Sequence, residues 1–434
     1  MSERESSRRR FFKDLVAGTA VVAVGPAACT PRGAEGDATP AFADAWRAAR
    51  TEEERWQAVR EQFLLEPGYA YLNTAGLGPS PLPVVEMVDT SWRELERRSE
   101  TGHGRRAEVR EAMCRFLGCS EDELAFTRSA TEGMNLVARG ISLEPGSQVL
   151  MTTHEHPGGA MPWLALAEDR DISIATFDPG LDGESLVERL TAALTPQTRV
   201  VMVCHVTCTV GAVLPVKEIA ELCRARGIVS VIDGAQAPGQ LPVDLHALGC
   251  DFYVASGHKW LLGPKGTGFL YVRDEMLDRW KPSYVGAYSD SGFDLAAGRF
   301  ERLRPASASE YGTRNTPLLL GFGAALEFIS TIGIDRVTAR GATLAQRLRR
   351  HLESIDGVEL LTPATPGTSA AIVTFRLPTS GGDPWDWCNL LRREHDFRLR
   401  PVGEAGLMAV RASTHVFNTE EQVDRLADVL RETV

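Results

Sequence analysis

Two polar residues follow neighbouring apolar runs and could do chemistry together. Asp233 closes the run at residues 228–232, and Lys259 comes shortly after the run at residues 252–256. A buried lysine is costly unless it is paired or used covalently, and its amine can form a Schiff base with an aldehyde cofactor. A carboxylate at a strand end can keep a pyridine nitrogen protonated. The two residues therefore indicate pyridoxal phosphate chemistry, in which Lys259 also removes a substrate proton.

Each of these residues also has a simpler interpretation. Lys259 could extend its charged end from a loop to solvent, and Asp233 could cap a helix. The two together, with Ser256 and His258 close to the lysine, favour the cofactor interpretation. Gln236, shortly after Asp233, can reach the phenolic oxygen of the same cofactor.

A phosphate needs main-chain N–H groups at a helix N-terminus together with side-chain donors. The segment Ser129-Ala130-Thr131 opens a predicted helix, and Ser256 and His258 can add donors from a second segment. Taken alone, the first segment is typical of an ordinary N-cap. We predict Ala130, Thr131, Ser256 and His258 as cofactor-binding residues.

Two further side chains fit the ring and the substrate. His156 could stack its flat imidazole over a pyridine ring and shuttle protons, so we predict it as a catalytic and cofactor-binding residue. His154 and His156 could instead bind a metal, but no third ligand has a useful spacing, and we predict no metal. Arg411 ends an apolar run, and its guanidinium suits the α-carboxylate of an amino acid. A surface arginine is the simpler alternative.

Composition narrows the class of protein. The chain has 434 residues, of which 43% are hydrophobic, so it can build one large core and a second, smaller domain. Acidic residues number 58 against 47 basic ones, giving a net charge of -11. An acidic surface argues against nucleic acid as a partner. The 8 cysteines are too few in a chain of this length for a disulfide scaffold.

The amino terminus, residues 1–29, is predicted to be a targeting segment. A basic motif at residues 7–13 precedes an apolar run at residues 15–28, which together resemble a twin-arginine export signal. The run is too short to span a bilayer, although a basic tail or a short anchor is the alternative. Ala-Ala-Cys29 also resembles a lipoprotein processing site. We expect the twin-arginine translocase to export the protein to the periplasm or cell envelope, with or without a lipid on Cys29.

Periodicity in the main body predicts alternating strands and helices. Strands are expected at 124–127, 148–153, 172–177, 199–206 and 228–232, and helices at 130–139 and 216–226. This alternation predicts an α/β fold with a mostly parallel sheet flanked by helices. In such sheets, ligands bind beyond the carboxyl ends of the strands. Seven polar residues lie at or just past those ends: His154, His156, Thr207, Asp233, Gln236, Ser256 and Lys259.

The regular alternation of predicted strands and helices ends at about residue 310. The expected elements are helices at 318–332 and 334–355, strands at 357–360, 371–376 and 406–411, and a final helix at 419–432. They predict a smaller α+β domain with an antiparallel sheet. The predicted organisation is the targeting segment, a linker and N-terminal segment at 30–60 (flexible to about residue 41), a large cofactor-binding domain at 61–305 with an N-terminal arm, and a small domain at 306–434.

Together these residues resemble the aminotransferase class V family of fold-type I pyridoxal phosphate enzymes. That family includes cysteine desulfurases, kynureninases and isopenicillin N epimerase-like proteins. The most specific match is Val254-Ala-Ser-Gly-His-Lys-Trp260, followed by Gly263-Pro-Lys-Gly-Thr-Gly-Phe-Leu270. The resemblance extends over nearly all of the chain after the linker, from residue 71 to residue 426.

The resemblance implies a role for each candidate residue. Lys259 would hold the cofactor covalently, Asp233 would face the ring nitrogen, Gln236 the phenolic oxygen and His156 the ring face. The phosphate would contact Thr131, Ser256 and His258. Thr313 resembles the segment that reaches the phosphate across a dimer interface, which implies a homodimer with a shared site. Arg411, Asn73 and Ala75 resemble residues on the substrate side.

Two departures from the family pattern bear on the reaction. Cysteine desulfurases carry a nucleophilic cysteine shortly before the carboxylate arginine, whereas residues 398–406 contain none. Many members also have an asparagine where this chain has Cys208. That difference is closer to the epimerase-like branch and implies a neutral Cys208 lining the cofactor site, with a redox-active thiol as the alternative.

The sequence thus predicts an enzyme that acts on a small amino acid or derivative through an α-carbanion. The substrate amine would displace Lys259, and Arg411 would hold the carboxylate. Epimerisation, elimination of a β-substituent and transamination all start from that carbanion, and the sequence leaves them open. An exported protein that binds the cofactor without turnover is the remaining alternative.

Overall fold

The computed structural model describes residues 38–180, 186–365, 367–378 and 382–434. The predicted export signal with Cys29, and most of the predicted linker, lie outside the described residues. The end of that linker was predicted wrongly, since residues 38–41 begin a helix, Ala38–Ala48. The cause is an aromatic pair four residues apart, Phe42 and Trp46, which is buried; the Phe42 ring lies 4.5 Å from that of Phe328.

Fifteen strands are found in the described ranges. They are β1 Ala70–Tyr71, β2 Leu124–Thr127, β3 Ser147–Thr152, β4 Ile172–Phe177, β5 Thr198–Cys204, β6 Val229–Asp233, β7 Phe252–Ser256, β8 Gly268–Val272, β9 Asp290–Asp294, β10 Arg299–Arg302, β11 Glu359–Leu360, β12 Ile372–Arg376, β13 Phe397–Arg398, β14 Arg400–Val402 and β15 Ala409–Ser413.

Fourteen α-helices surround these strands in the same part of the chain. They are α1 Ala38–Ala48, α2 Glu52–Arg60, α3 Leu82–Glu96, α4 Arg106–Leu117, α5 Ala130–Gly140, α6 Pro157–Asp169, α7 Leu186–Ala193, α8 Val216–Ala225, α9 Leu245–Leu248, α10 Asp274–Leu277, α11 Thr316–Ile332, α12 Ile334–Leu352, α13 Pro384–His395 and α14 Glu420–Thr433.

The large sheet has the strand order β2-β8-β7-β6-β5-β3-β4. Its pairs from β7 to β4 are parallel, which confirms the predicted α/β fold with a mostly parallel sheet. Strand β8 was not predicted and runs antiparallel to both β7 and β2. The chain returns from β7 through the short segment 257–267, and a connection without a crossover helix joins antiparallel neighbours.

Alternate residues of the central strands enter two different cores. Val200 and Val231 pack on one face of the sheet, whereas Val201, Val203 and Ile232 pack on the other. Helices cover both faces, so these strands are apolar on both sides and read as continuous apolar runs. This layering leaves the strand ends as the place where polar side chains can gather.

The second sheet is antiparallel, as predicted, with the order β11-β12-β15-β14. Strand β15 begins at Ala409, not at the predicted Gly406, because Gly406 has φ 67° and closes a short 3₁₀ turn. Helix α12 ends at Leu352, three residues before its predicted end. Helix α13 and strands β13 and β14 were not predicted.

Residues 70–73, near the amino terminus, pair with strands from the carboxyl-terminal part of the chain. Strand β1 pairs with β13, and Asn73 forms a parallel bridge with Ser413 at the end of β15. Helix α11 packs Leu319 and Phe322 into the core of the large sheet, although it follows the predicted domain boundary. That boundary, at residues 305 and 306, stays a prediction.

In the described ranges, no single helix has the length and apolar character to cross a membrane; only α11 and α12 meet both criteria as a pair, and they are bent by 77°.

Candidate active site

The carboxyl ends of β6 and β7 open into one cavity of about 210 Å³. Ten of the predicted site residues line it: Ala75, Ala130, Thr131, His156, Asp233, Gln236, Ser256, His258, Lys259 and Arg411. The parallel pairing of β6 with β7 places Asp233 and Lys259 at the same edge of the sheet. Residues separated widely in the sequence therefore converge where the strand-end rule places ligands.

The cavity contains one reactive amine beside one carboxylate. Lys259 is only 9% exposed, and its burial lowers the pKa of the amine, although nearby Asp233 opposes that shift. A lowered pKa leaves more of the amine neutral, which is the nucleophilic form. The Asp233 carboxylate accepts a hydrogen bond from the N–H of Ala235 at 2.9 Å through Oδ1.

The second oxygen of Asp233 stays accessible because residue 159 is a glycine. A Cβ added to Gly159 would lie 2.9 Å from Asp233 Oδ2, closer than real Cβ contacts allow. The space beside this oxygen is therefore free for a ring nitrogen. A protonated pyridine nitrogen placed there would form a charge-assisted hydrogen bond with Asp233.

His156 is held in a fixed orientation at the N-terminus of α6. It occupies the N-cap, and its Nδ1 accepts a hydrogen bond from the N–H of Gly158 at 3.0 Å. Pro157 follows at the first helical position, which its ring favours. Burial, and then the charge of Lys259, lower the pKa of His156, so the ring is neutral with its hydrogen on Nε2. A flat ring held in this orientation is suited to stack on a cofactor.

The N-terminus of α5 forms the phosphate end of the cavity. Ser129 caps the helix by accepting from the N–H of Glu132, and the N–H of Ala130 donates to Ser256 Oγ at 3.1 Å. The Ser256 hydroxyl thus keeps its own hydrogen for a ligand. His258 Nδ1 is buried without a hydrogen-bond partner among the described residues. An unpartnered buried nitrogen beside a helix N-terminus fits a phosphate group.

Arg411 forms the opposite end of the cavity and is 1% exposed. Its Nη1 donates to the main-chain oxygen of Cys208 at 2.6 Å, and its Nη2 donates to Asn73 Oδ1 at 3.2 Å. Its Nε is buried and has no partner in the described part of the chain. These contacts hold the guanidinium in place and leave donors for a carboxylate.

Arg400 also lines this end, and sequence reasoning missed it. It lies directly opposite Arg411 in the antiparallel pair of β14 and β15, so both side chains project from the same face of the sheet. Burial, and then the charge of Arg400, lower the pKa of Arg411 to about 10. Arg400 itself forms an ion pair with Glu404. Only the strand register, which the sequence does not show, reveals this pair of arginines.

Glu155 is a second missed residue, at the cofactor end. It accepts hydrogen bonds from the Thr152 hydroxyl at 2.6 Å and the N–H of Cys204 at 3.1 Å, both through Oε1. Burial raises the pKa of Glu155 to about 8, and the charge of Asp233 adds to that shift. At neutral pH this carboxyl is therefore mainly protonated and places little second charge beside Asp233.

Four predicted residues have contacts or positions that the sequence did not predict. The Gln236 amide donates to the Ala75 oxygen at 2.9 Å and accepts from the Trp260 ring N–H at 2.7 Å, which leaves one amide hydrogen for a ligand. Cys208 contributes its main-chain oxygen, Asn73 holds Arg411, and Thr313 lies exposed outside the cavity. The functional roles of the site residues stay predictions.

The residues at the cofactor end fit pyridoxal phosphate. An amine whose pKa is lowered by burial, a carboxylate with an open oxygen, a flat imidazole and a set of phosphate donors surround one cavity. Lys259 would hold the aldehyde carbon, Asp233 the ring nitrogen and the α5 N-terminus the phosphate. The fold and this site define a pyridoxal phosphate-dependent enzyme.

The chain belongs to the class V aminotransferase family, since residues 86–426 match the family described as Aminotransferase class-V. It is 34% identical over 397 residues to the isopenicillin N epimerase of Amycolatopsis lactamdurans, covering 87% of this chain and 98% of the relative. Membership confirms the predicted family and cofactor.

Solved structures give the same result for the fold. An apo cysteine desulfurase from Thermococcus onnurineus NA1 matches with a TM-score of 0.80 at 27% identity, over 89% of this chain and 98% of that one. A variant of C-DES with glycine covalently linked to its PLP cofactor matches with a TM-score of 0.80 at 25% identity, over 86% and 99%. The predicted fold-type I architecture is therefore confirmed.

Proposed function

We propose that this protein is an epimerase that inverts the α-carbon of an amino acid or amino-acid derivative. The observation that carries the proposal is a pair of titratable bases in one cavity: the Lys259 amine and the His156 imidazole, whose pKa values are both lowered. One base can take a proton from the α-carbon, and the protonated form of the other can return one. Bound pyridoxal phosphate supplies the electron sink that stabilises the carbanion. The 34% identity to an isopenicillin N epimerase supports the same reaction.

Each residue then has one task. Arg411 binds the substrate carboxylate through the donors that Cys208 and Asn73 leave free. Lys259 takes the α-proton, since burial lowers the pKa of its amine in the same cavity. His156, once protonated from solvent, returns a proton to the α-carbon. Asp233 faces the ring nitrogen, while Glu155 stays mainly protonated at neutral pH.

The experiment is a solvent-exchange assay on the purified holoenzyme. Single L-amino acids and short peptides with a free α-amine are incubated in D₂O, and mass spectrometry and chiral chromatography follow the α-carbon. The proposal predicts deuterium at the α-carbon together with the D-isomer. Formation of a ketoacid together with the absorbance of the pyridoxamine form of the cofactor would indicate a transaminase. Loss of a β-substituent would indicate a lyase. Bound cofactor without exchange at the α-carbon would indicate a binding protein.

A cysteine desulfurase is the second candidate, because the solved apo desulfurase has the same fold. Residues 398–406 carry no cysteine before Arg411, so the chain lacks a thiol that could accept sulfur at this position. Cys208 does not replace it, since burial raises the pKa of its thiol. Release of sulfide or a protein persulfide from L-cysteine in the same assay would favour the desulfurase.

A homodimer is part of the proposal. The hairpin of β9 and β10 exposes large apolar side chains: Phe293 is 73% exposed and Leu295 86%. Exposed apolar clusters of this kind mark interaction surfaces. Thr313, predicted to reach a neighbouring site, is also exposed. Light scattering of the wild type and of Leu295→Asp would test this, with a dimer that weakens in the variant as the expected result.

Export by the twin-arginine route is a further part of the proposal, and it rests on the motif at residues 7–13. Replacing Arg8 and Arg9 by lysine should retain the protein in the cytoplasm if the motif acts as a twin-arginine signal. Cell fractionation of a native-signal and a double-lysine form measures this, and metabolic labelling with a fatty acid tests Cys29 in the same samples.

A further inference from the structure

Two cysteines meet at the C-terminal end of helix α4. Gly118 ends the helix in the left-handed conformation with φ 63°, and the N–H of Cys119 donates to the main-chain oxygen of Cys114 at 3.1 Å. This is the Schellman arrangement, in which the side chains at these two positions usually make an apolar contact. Here both side chains are thiols, and the backbone bond keeps their Cα atoms within the roughly 4–7 Å that a disulfide bridges.

One thiol of this pair differs from the other cysteines that the structure describes. A hydrogen bond with Cys119, and the nearby charge of Arg110, lower the pKa of Cys114, whereas the same contact and burial raise the pKa of Cys119. Burial raises the pKa of each remaining described thiol, at Cys204, Cys208, Cys223, Cys250 and Cys388. Since the thiolate is the reactive form, thiol exchange should begin at Cys114, with Cys119 as the thiol that then closes the disulfide.

The pair is also accessible. Cys119 is half-buried, and both cysteines line a surface cavity of about 450 Å³ together with Asp244 and His246. A small or protein-borne disulfide can therefore approach one sulfur while the second stays in contact with it. The cavity is separate from the one that contains Lys259.

We propose that Cys114 and Cys119 form a redox-active dithiol that closes to a disulfide by exchange with an incoming disulfide. One S–S bond forms between the two Sγ atoms, and the S–S bond of the reagent breaks. Two electrons pass to the reagent, which leaves as two thiols carrying the two protons. The closed form links the end of α4 to the segment that leads into β2. The dithiol opens in a reducing compartment and closes in an oxidising one.

Peptide mapping of the full-length holoenzyme tests the proposal. The folded protein is treated with oxidised glutathione, quenched in acid, unfolded, alkylated and digested with trypsin. Cleavage after Arg115 separates the two cysteines, so closure joins the peptides 111–115 and 116–128. The expected result is this cross-linked pair, with loss of alkylation at Cys114 and Cys119 and unchanged alkylation at the five buried cysteines. Reduced glutathione in excess should restore the separate peptides.

The single variants Cys114→Ser and Cys119→Ser are the matched controls, and each should carry a glutathione adduct on the cysteine that remains. Full alkylation of both wild-type cysteines after oxidant treatment would overturn the proposal. So would a stable glutathione adduct on wild-type Cys119 without the cross-link, because the pair would then be only an apolar contact at a helix end. The wild-type map decides the question even where a serine variant folds poorly.

Discussion

The two ends of the active-site cavity differ in their charged groups and in how those groups are paired. At the cofactor end, two carboxyl groups lie near each other, and burial keeps one of them, Glu155, mainly protonated at neutral pH. At the substrate end, two arginines, Arg400 and Arg411, lie directly opposite each other in β14 and β15. Only one of these, Arg400, is paired with a carboxylate, Glu404.

The cofactor end therefore already contains a counterion for its ligand, whereas Arg411 at the substrate end has no counterion among the described residues until a substrate binds. The buried Arg411 contacts only neutral oxygens, those of Cys208 and Asn73, within the described residues. A buried charge without a counterion is costly, and like charges directly opposite in a sheet are destabilising. That cost falls when an anionic substrate binds. The cofactor end, by contrast, already contains the carboxylate that a cationic ring needs.

Removal of Lys259 should have the largest effect, because it deletes the covalent anchor and the base together. Lys259→Ala should lower kcat/KM by roughly 10⁴-fold or more and abolish the adduct that borohydride traps on the peptide containing residue 259. Lys265→Ala is the control, since that lysine lies on the next loop outside the cavity. An adduct that persists in the alanine variant would refute the assignment of the lysine.

Arg411→Lys tests the substrate end of the cavity. Lysine keeps the charge but loses the fork, so kcat/KM should fall by roughly 10²–10³-fold, mainly through KM, while the cofactor absorbance stays unchanged. Arg398→Lys, on the neighbouring β13, is the matched control. A changed cofactor spectrum with an unchanged KM would place Arg411 at the wrong end of the cavity.

The same division explains which parts the sequence could predict. Asp233 and Lys259 each follow a strand directly, so the local pattern was enough to place both at one sheet edge, and the parallel fold followed from the alternation of elements. Arg400 depends on the register of β14 against β15, and the burial of Glu155 depends on its contact with Cys204 from another strand. Pairings between distant segments leave no periodic signal. Cys208 contacts Arg411 through its main-chain oxygen, a contact that its side chain does not predict.

Glu155→Gln should change stability more than activity. The unfolded carboxyl ionises near its ordinary pKa of 4.5, whereas the folded one keeps its proton up to a pKa of about 8. Between these values the folded state binds more protons than the unfolded state, so raising the pH lowers the stability of the wild type. Glutamine does not titrate, so the variant lacks this pH dependence. Between about pH 5 and pH 8, its free energy of unfolding should rise by on the order of a few kcal/mol relative to that of the wild type.

Urea denaturation of the wild type and of Glu155→Gln at both pH values measures this difference. Glu404→Gln is the control: burial raises the pKa of Glu404, but the hydrogen bonds it accepts and the charges of Arg400 and Arg411 together lower it. Its contribution is complete above the ordinary pKa and is lost only at lower pH, so its variant should keep the wild-type slope over this range. Equal slopes in wild type and Glu155→Gln would mean that Glu155 is ionised and that the cofactor end carries two charges.

Arg400→Ala should have the smallest effect and separates two roles for the second arginine. Arg400 is half-buried and already paired, so its loss should lower kcat/KM by about tenfold, mainly through KM. If Arg400 contacts the substrate, Glu404→Gln should keep or improve KM, since the guanidinium is then released from its carboxylate. If Arg400 acts only through the ion pair, both variants should lose activity equally. A wild-type KM in Arg400→Ala would mean that, of these two arginines, only Arg411 contributes to substrate binding.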